Sequence, residues 1–195
     1  MKAAFIFLSV GCSAASAHTE VRYGDSVVQG YGVGTVEEAC ELAQRLRSEG
    51  YDWLELCGGF HPEGCARVAA SIDDGIPVGY IDYLPENEHQ RALLPRDESR
   101  HMDWAYIFVD PAFDSERPAE TLTYRKGSRD LHFFGTRTAD EGIALAAALV
   151  RESGFPLIEL SGDFGPQYCK ELVELAGDRA LIGYTTWLSG KKKRN

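Results

Sequence analysis

The chain has 195 residues, 44% of them hydrophobic, which is enough for a packed core and fits either one large domain or two small ones. Its formal charge is −10, and the run Lys191, Lys192, Lys193, Arg194 supplies four of the 20 basic residues, leaving the rest at −14 with 16 basic against 30 acidic. Such a body repels a phosphate backbone, so nucleic acid is excluded as an expected partner, and residues 190–195 read as a short solvated basic tail.

Lys2, the apolar run Ala3 to Val10 and the small residues Ser13-Ala14-Ala15-Ser16-Ala17 before His18 together imitate a secretory signal. The mid-chain segment Met102-Asp103-Trp104-Ala105-Tyr106-Ile107-Phe108-Val109 repeats the pattern of Met1-Lys2-Ala3-Ala4-Phe5-Ile6-Phe7-Leu8, where no signal can act. Residues 2 to 8 are therefore expected to be a core strand. The similarity continues in order through both halves, with an offset that drifts only from 101 to 104. The chain reads as a tandem duplication.

Each copy predicts a strand, a hairpin, a helix, a strand, a second helix and a last strand. The hairpins pair Glu20 to Tyr23 with Val27 to Val33, and Thr121 to Arg125 with Leu131 to Thr136. Thr35 with Glu38, and Thr138 with Glu141, have the spacing of a capping box that starts a helix. The buried stripes are expected at Val36, Ala39, Ala43, Leu46 and at Ala139, Ile143, Ala146, Val150. A short strand follows, then a glycine turn into a helix with Pro62 or Pro166 at its first position. The expected class is α/β, as α+β two-layer modules: repeats at 1–84 and 102–189, a charged linker at 85–101, and a pseudo-two-fold axis relating the repeats with their helix-free faces packed together.

Five candidate features follow from this layout. Glu55 and Glu159 alternate with leucines on short strands and point away from them, where enclosure would suit proton transfer; a structural carboxylate is the alternative. The turns carrying Gly58, Gly59 and Phe60, and Gly162 and Phe164, lead into helix N-termini that favour an anion. His61 and Asp163 differ from their counterparts Gly165 and Gly59, and are candidates for chemistry in one copy only, with helix capping as the alternative. Tyr80, Tyr184 and His132 lie on predicted strands as candidate ligand contacts or packing residues. Cys12, Cys40, Cys57, Cys65 and Cys169 contain no CxxC pair and no zinc-like spacing, which predicts a reduced, cytoplasmic protein without a metal site.

The segments Met1-Lys2-Ala3-Ala4-Phe5-Ile6-Phe7, Thr35-Val36-Glu37-Glu38-Ala39 and Glu55-Leu56-Cys57-Gly58-Gly59-Phe60-His61-Pro62-Glu63-Gly64 resemble a bacterial family of single-module proteins known only as a domain of unknown function. The resemblance covers residues 1 to 83, and more weakly 102 to 187, and implies a compact α/β domain with no established activity. His61 stands where that pattern prefers glycine, and Asp163, Gln167 and Tyr168 depart from it in the second copy.

The expected function is a small-molecule metabolic enzyme using carboxylate acid/base chemistry, of isomerase, cyclase, lyase or hydrolase type, in a pocket at the repeat interface or at the strand-to-helix turns. It needs no cofactor and acts on a small anionic or carbonyl-containing molecule. No membrane partner is expected, and homodimerisation is left open. The alternative is a non-catalytic ligand-binding or assembly module.

Overall fold

The computed structural model describes residues 1–73, 75–95, 100–113, 122–126 and 128–188. Thr121 of the expected second hairpin, residues 96–99 of the expected linker and the tail at 190–195 lie outside the described residues. The protein is a mixed α/β chain that divides into two compact units, one made of Met1–Ile81 with the segment that begins at Thr186, the other of Asp82–Thr185.

In the first unit the apolar strand β1 (Lys2–Leu8) is central because both of its edges are used. It pairs in parallel with β3 (Ser26–Val33) on one side and β4 (Trp53–Leu56) on the other. β2 (His18–Tyr23) adds antiparallel to β3 through a tight turn, and β5 (Val78–Tyr83) adds parallel to β4. The order β2-β3-β1-β4-β5 is completed by the helices α1 (Val36–Ser48) and α2 (His61–Ala70), which link parallel strands as such connections must.

The second unit repeats the plan. Its strands β6 (Met102–Val109), β7 (Leu122–Lys126), β8 (Arg129–Thr136), β9 (Leu157–Leu160) and β10 (Leu181–Trp187) lie in the order β7-β8-β6-β9-β10, with helices α3 (Ala139–Glu152) and α4 (Gly165–Ala176). β10 runs on two residues past the unit's end at Thr185. No helix among the described residues is long and apolar enough to cross a membrane.

Both main helices start as their sequence requires, with a local difference. The Thr35 and Thr138 hydroxyls accept from the Glu38 and Glu141 amides at 3.1 and 3.2 Å. The two glutamates do not reach back to the cap residue itself. Glu38 accepts from the Gly34 amide at 2.9 Å and the Ala14 amide at 2.8 Å, and Glu141 accepts from the Arg137 amide at 3.1 Å. The first copy thus uses its capping carboxylate to fasten the β1–β2 loop as well as the helix.

Strand alternation sorts the second unit's side chains by face. Ala105, Ile107, Phe134, Ile158, Leu160 and Ile182 join Ile143, Ala146, Ala147, Val150, Cys169, Leu172 and Ala176 of the helices in one apolar core. The alternate residues Tyr106, Phe108, Leu131, Phe133, Leu157 and Leu181 point the other way and are buried too. Phe113 contributes to covering that face: it meets Phe108 edge-on and lies directly over Gly135, where a Cβ would stand 2.1 Å from its ring.

Gly142 shows how tightly the helical side is filled. A Cβ there would stand 2.5 Å from the end of the Phe164 ring, which is fully buried. Ala exceeds Gly in helix propensity by about 1 kcal/mol, whereas forced overpacking costs about 1–3 kcal/mol. Gly142→Ala is therefore expected to destabilise the protein by about 1 kcal/mol in urea unfolding; an increase in stability would mean that the ring yields freely.

Candidate functional site

The expected site residues fall into three places, each set by strand direction. The first is mid-sheet. Glu55 and Glu159 are each only 1% exposed, and the register sets each between an aromatic residue and a glycine on the neighbouring strands: Phe5 and Gly79, Tyr106 and Gly183. A buried carboxylate is costly unless donors replace water. For Glu159, Tyr83 Oη donates to Oε1 at 3.0 Å and Trp104 Nε1 donates to Oε2 at 3.1 Å. Tyr83 is the second residue of that unit, and the position of Trp104 is occupied in the first copy by Ala3.

The second place is the carboxyl edge. From this edge the chain leaves the neighbouring strands β6 and β9 in opposite directions along the sheet, toward β8 and toward β10. β6 and β9 pair as far as Ile107 and Leu160, and Asp110 and Asp163 each follow three residues later, in the loops beyond these adjacent strands. Asp110 is buried, with Oδ1 accepting from the Ala112 amide at 2.9 Å and Oδ2 enclosed without a hydrogen-bond partner among the described residues. Ser161 Oγ donates to Asp163 Oδ2 at 3.0 Å. In the first copy these positions are Ser9, Gly59 and Cys57. Cys57 is buried, its sulfur accepting from the Leu8 amide at 3.4 Å.

The remaining turn residues divide by burial. Phe60 and Phe164 are core rings, Phe60 against Gly64 and Phe164 against Gly142, and they anchor the helix starts from below. Gly58 is buried and Gly59 exposed in the 3-10 turn before α2, and Gly162 is half-buried. Burial pushes the thiols of Cys65 and Cys169, in equivalent turns of α2 and α4, up to about 12, which makes them packing groups rather than nucleophiles. Tyr80 is half-buried on β5 and Tyr184 packs against the helical core.

The third place is the amino edge of the second unit, where His132 lies. Its Nε2 is 2.7 Å from Asp103 Oδ1, and its ring stacks with Phe134 and meets Phe155 edge-on. Asp110, Tyr83, Trp104 and Asp103 are the residues sequence reasoning passed over. For Asp110, Trp104 and Asp103 a signal was present, in the substitution of Ser9, Ala3 and Lys2 between the copies.

His61 is exposed at the head of α2 with φ 55 and ψ 164, a conformation in which glycine is the usual residue; its counterpart Gly165 has φ 67. His61→Gly is expected to raise stability by about 1 kcal/mol through relief of that strain, and Gly165→His to lower it by a similar amount. Thermal unfolding of the two variants decides this, and an unchanged or lower midpoint for His61→Gly would contradict it.

Comparison with curated proteins finds no match. The model of a family of unknown function, DUF6506, matches twice, over residues 1–94 and over residues 102–195. The chain belongs to that family and carries two copies of its domain in tandem.

Proposed function

We propose that the chain is a cytoplasmic small-molecule enzyme that moves protons with carboxylates and needs no redox cofactor, and that its working site is the carboxyl edge of the second repeat. The observation that carries this reading is Asp110 Oδ2, a buried carboxylate oxygen with no hydrogen-bond partner among the described residues. An unmatched buried acceptor costs about 1–3 kcal/mol, and such costs are tolerated where a ligand relieves them. Asp110 is the proton acceptor. Asp163, oriented by Ser161, and the start of α4 frame the place where a small anionic or carbonyl-bearing substrate is held. Removal of a proton beside a carbonyl fits these parts, since helix N-termini favour the negative charge that develops on the oxygen.

The second reading is a non-catalytic ligand-binding module. It draws support from Glu159, whose two oxygens each receive a protein donor, as a structural carboxylate's would.

Asp110→Asn keeps an acceptor for the Ala112 amide while removing the buried charge. It is expected to leave the unfolding midpoint unchanged or raise it by a few degrees, at about 4–8 °C per kcal/mol for a small domain. Small carboxylates and carbonyl compounds that raise the midpoint of the wild-type chain are then incubated with it in D2O. Deuterium entering the carbon beside the carbonyl, slowed about 100-fold or more in Asp110→Asn, supports the enzyme. Stabilising ligands without exchange favour the binding module, and a midpoint that falls by many degrees makes Asp110 structural.

A further inference from the structure

The amino edge of the second repeat gathers side chains that the carboxyl-edge site does not use. Asp103 on β6 and Asp130 on β8 are partners in the parallel register, so their side chains leave the sheet on the same face, one strand spacing apart. His132, two residues beyond Asp130, shares that face, and His101 immediately precedes β6. Two carboxylates this close need positive charge between them. Arg125 supplies one cation, clasping Asp130 through Nε at 3.0 Å and Nη2 at 2.7 Å.

Asp103 has no such clasp among the described residues. Each of its oxygens instead faces an imidazole: His132 Nε2 at 2.7 Å from Oδ1 and His101 Nε2 at 3.2 Å from Oδ2. The ligand atoms of His101, Asp103 and Asp130 all lie within 4.8 Å of one another. Small adjustments would bring them round one ion at the 2.0–2.2 Å bond lengths typical of zinc.

Three further observations distinguish this group from a solvated cluster. Asp130 has a side chain only 4% exposed, so its carboxylate is held in place beside Asp103 rather than freely solvated. His132 is held by Phe134 and Phe155, so its nitrogen is pre-aimed. In the first copy the equivalents of Asp103, Asp130 and His132 are Lys2, Val27 and Gln29, so three positions have diverged together to ligand types. His101 is 56% exposed, leaving an open path for an ion to enter.

We propose that His101, Asp103 and Asp130, with His132 beside them, bind one divalent transition-metal ion, the mixed imidazole and carboxylate donors favouring zinc or cobalt over calcium. Arg125 is a positioning residue that orients Asp130. Such a site departs from the sequence expectation of none: its donors come from two adjacent strands and the residue before β6, and no linear spacing reports them.

The test uses the full chain, stripped with chelator and titrated with cobalt(II) alone while visible d–d absorption is followed, then with zinc by calorimetry. The expected result is one ion per chain, with affinity reduced ten-fold or more in His101→Ala and Asp103→Asn, and a smaller loss in Arg125→Gln. His101 is exposed, so His101→Ala keeps the fold, and circular dichroism checks all three variants. Absence of a cobalt band and of zinc heat in the wild type overturns the proposal. So does binding that His101→Ala and Asp103→Asn leave unchanged, or a sulfur-to-cobalt charge-transfer band, which would place the ion on cysteine.

Discussion

The chemistry of each repeat depends on one constraint: the central strand has parallel partners on both edges. Parallel register makes paired residues share a face, which is why Asp103 lies beside Asp130 and why Glu159 lies between Tyr106 and Gly183. Parallel direction also brings both carboxyl ends to one edge. There the chain leaves β6 and β9 in opposite directions along the sheet, and Asp110 and Asp163 follow in step. An antiparallel arrangement of the same strands would scatter these groups over two edges.

The two copies spend their stability differently. The first carries Ser9, Gly59, Ala3, Lys2, Val27 and Gln29 where the second carries Asp110, Asp163, Trp104, Asp103, Asp130 and His132. Nearly every change moves toward charge or a hydrogen-bonding ring. Burying Asp110, Asp130 and Glu159 in one unit costs several kcal/mol that apolar side chains would not, offset only where donors such as Arg125, Tyr83 and Trp104 are supplied. The first copy buries Glu55 as fully as the second buries Glu159, and adds the left-handed backbone of His61 and Asp73.

The mixed α/β class, the two copies and the helix starts were legible in the sequence because they follow from short-range rules. The capping threonines mark the starts of α1 and α3, and the apolar stripes along these helices are the faces that the core buries. The small-residue run after β1 could be set aside only because the same strand recurs in mid-chain. The sites were less legible, since their groups meet across strands. Glu159 was visible from alternation alone, but its partners Tyr83 and Trp104 come from positions 76 and 55 residues away. Asn87, inside the stretch that reads as a charged linker, is fully buried and bonds the Ala180 carbonyl and the Ile182 amide. Nothing in its neighbourhood announces that, because Pro85, Glu86, Glu88 and His89 around it are exposed.

A duplicated module also changes what a difference between residues means. In a single domain an aspartate after a strand is one of many polar loop residues, with helix capping or solvation the ordinary explanation. When the same backbone position in the other copy holds serine or glycine and the fold is unaltered, the scaffold does not require the carboxylate. Asp110 meets that condition and is buried with an unmatched oxygen, so capping accounts for only half of its side chain. Asp163 meets it too, but its bond to Ser161 satisfies it locally. The stronger argument for acquired function therefore rests on Asp110, the residue whose burial the scaffold does not explain.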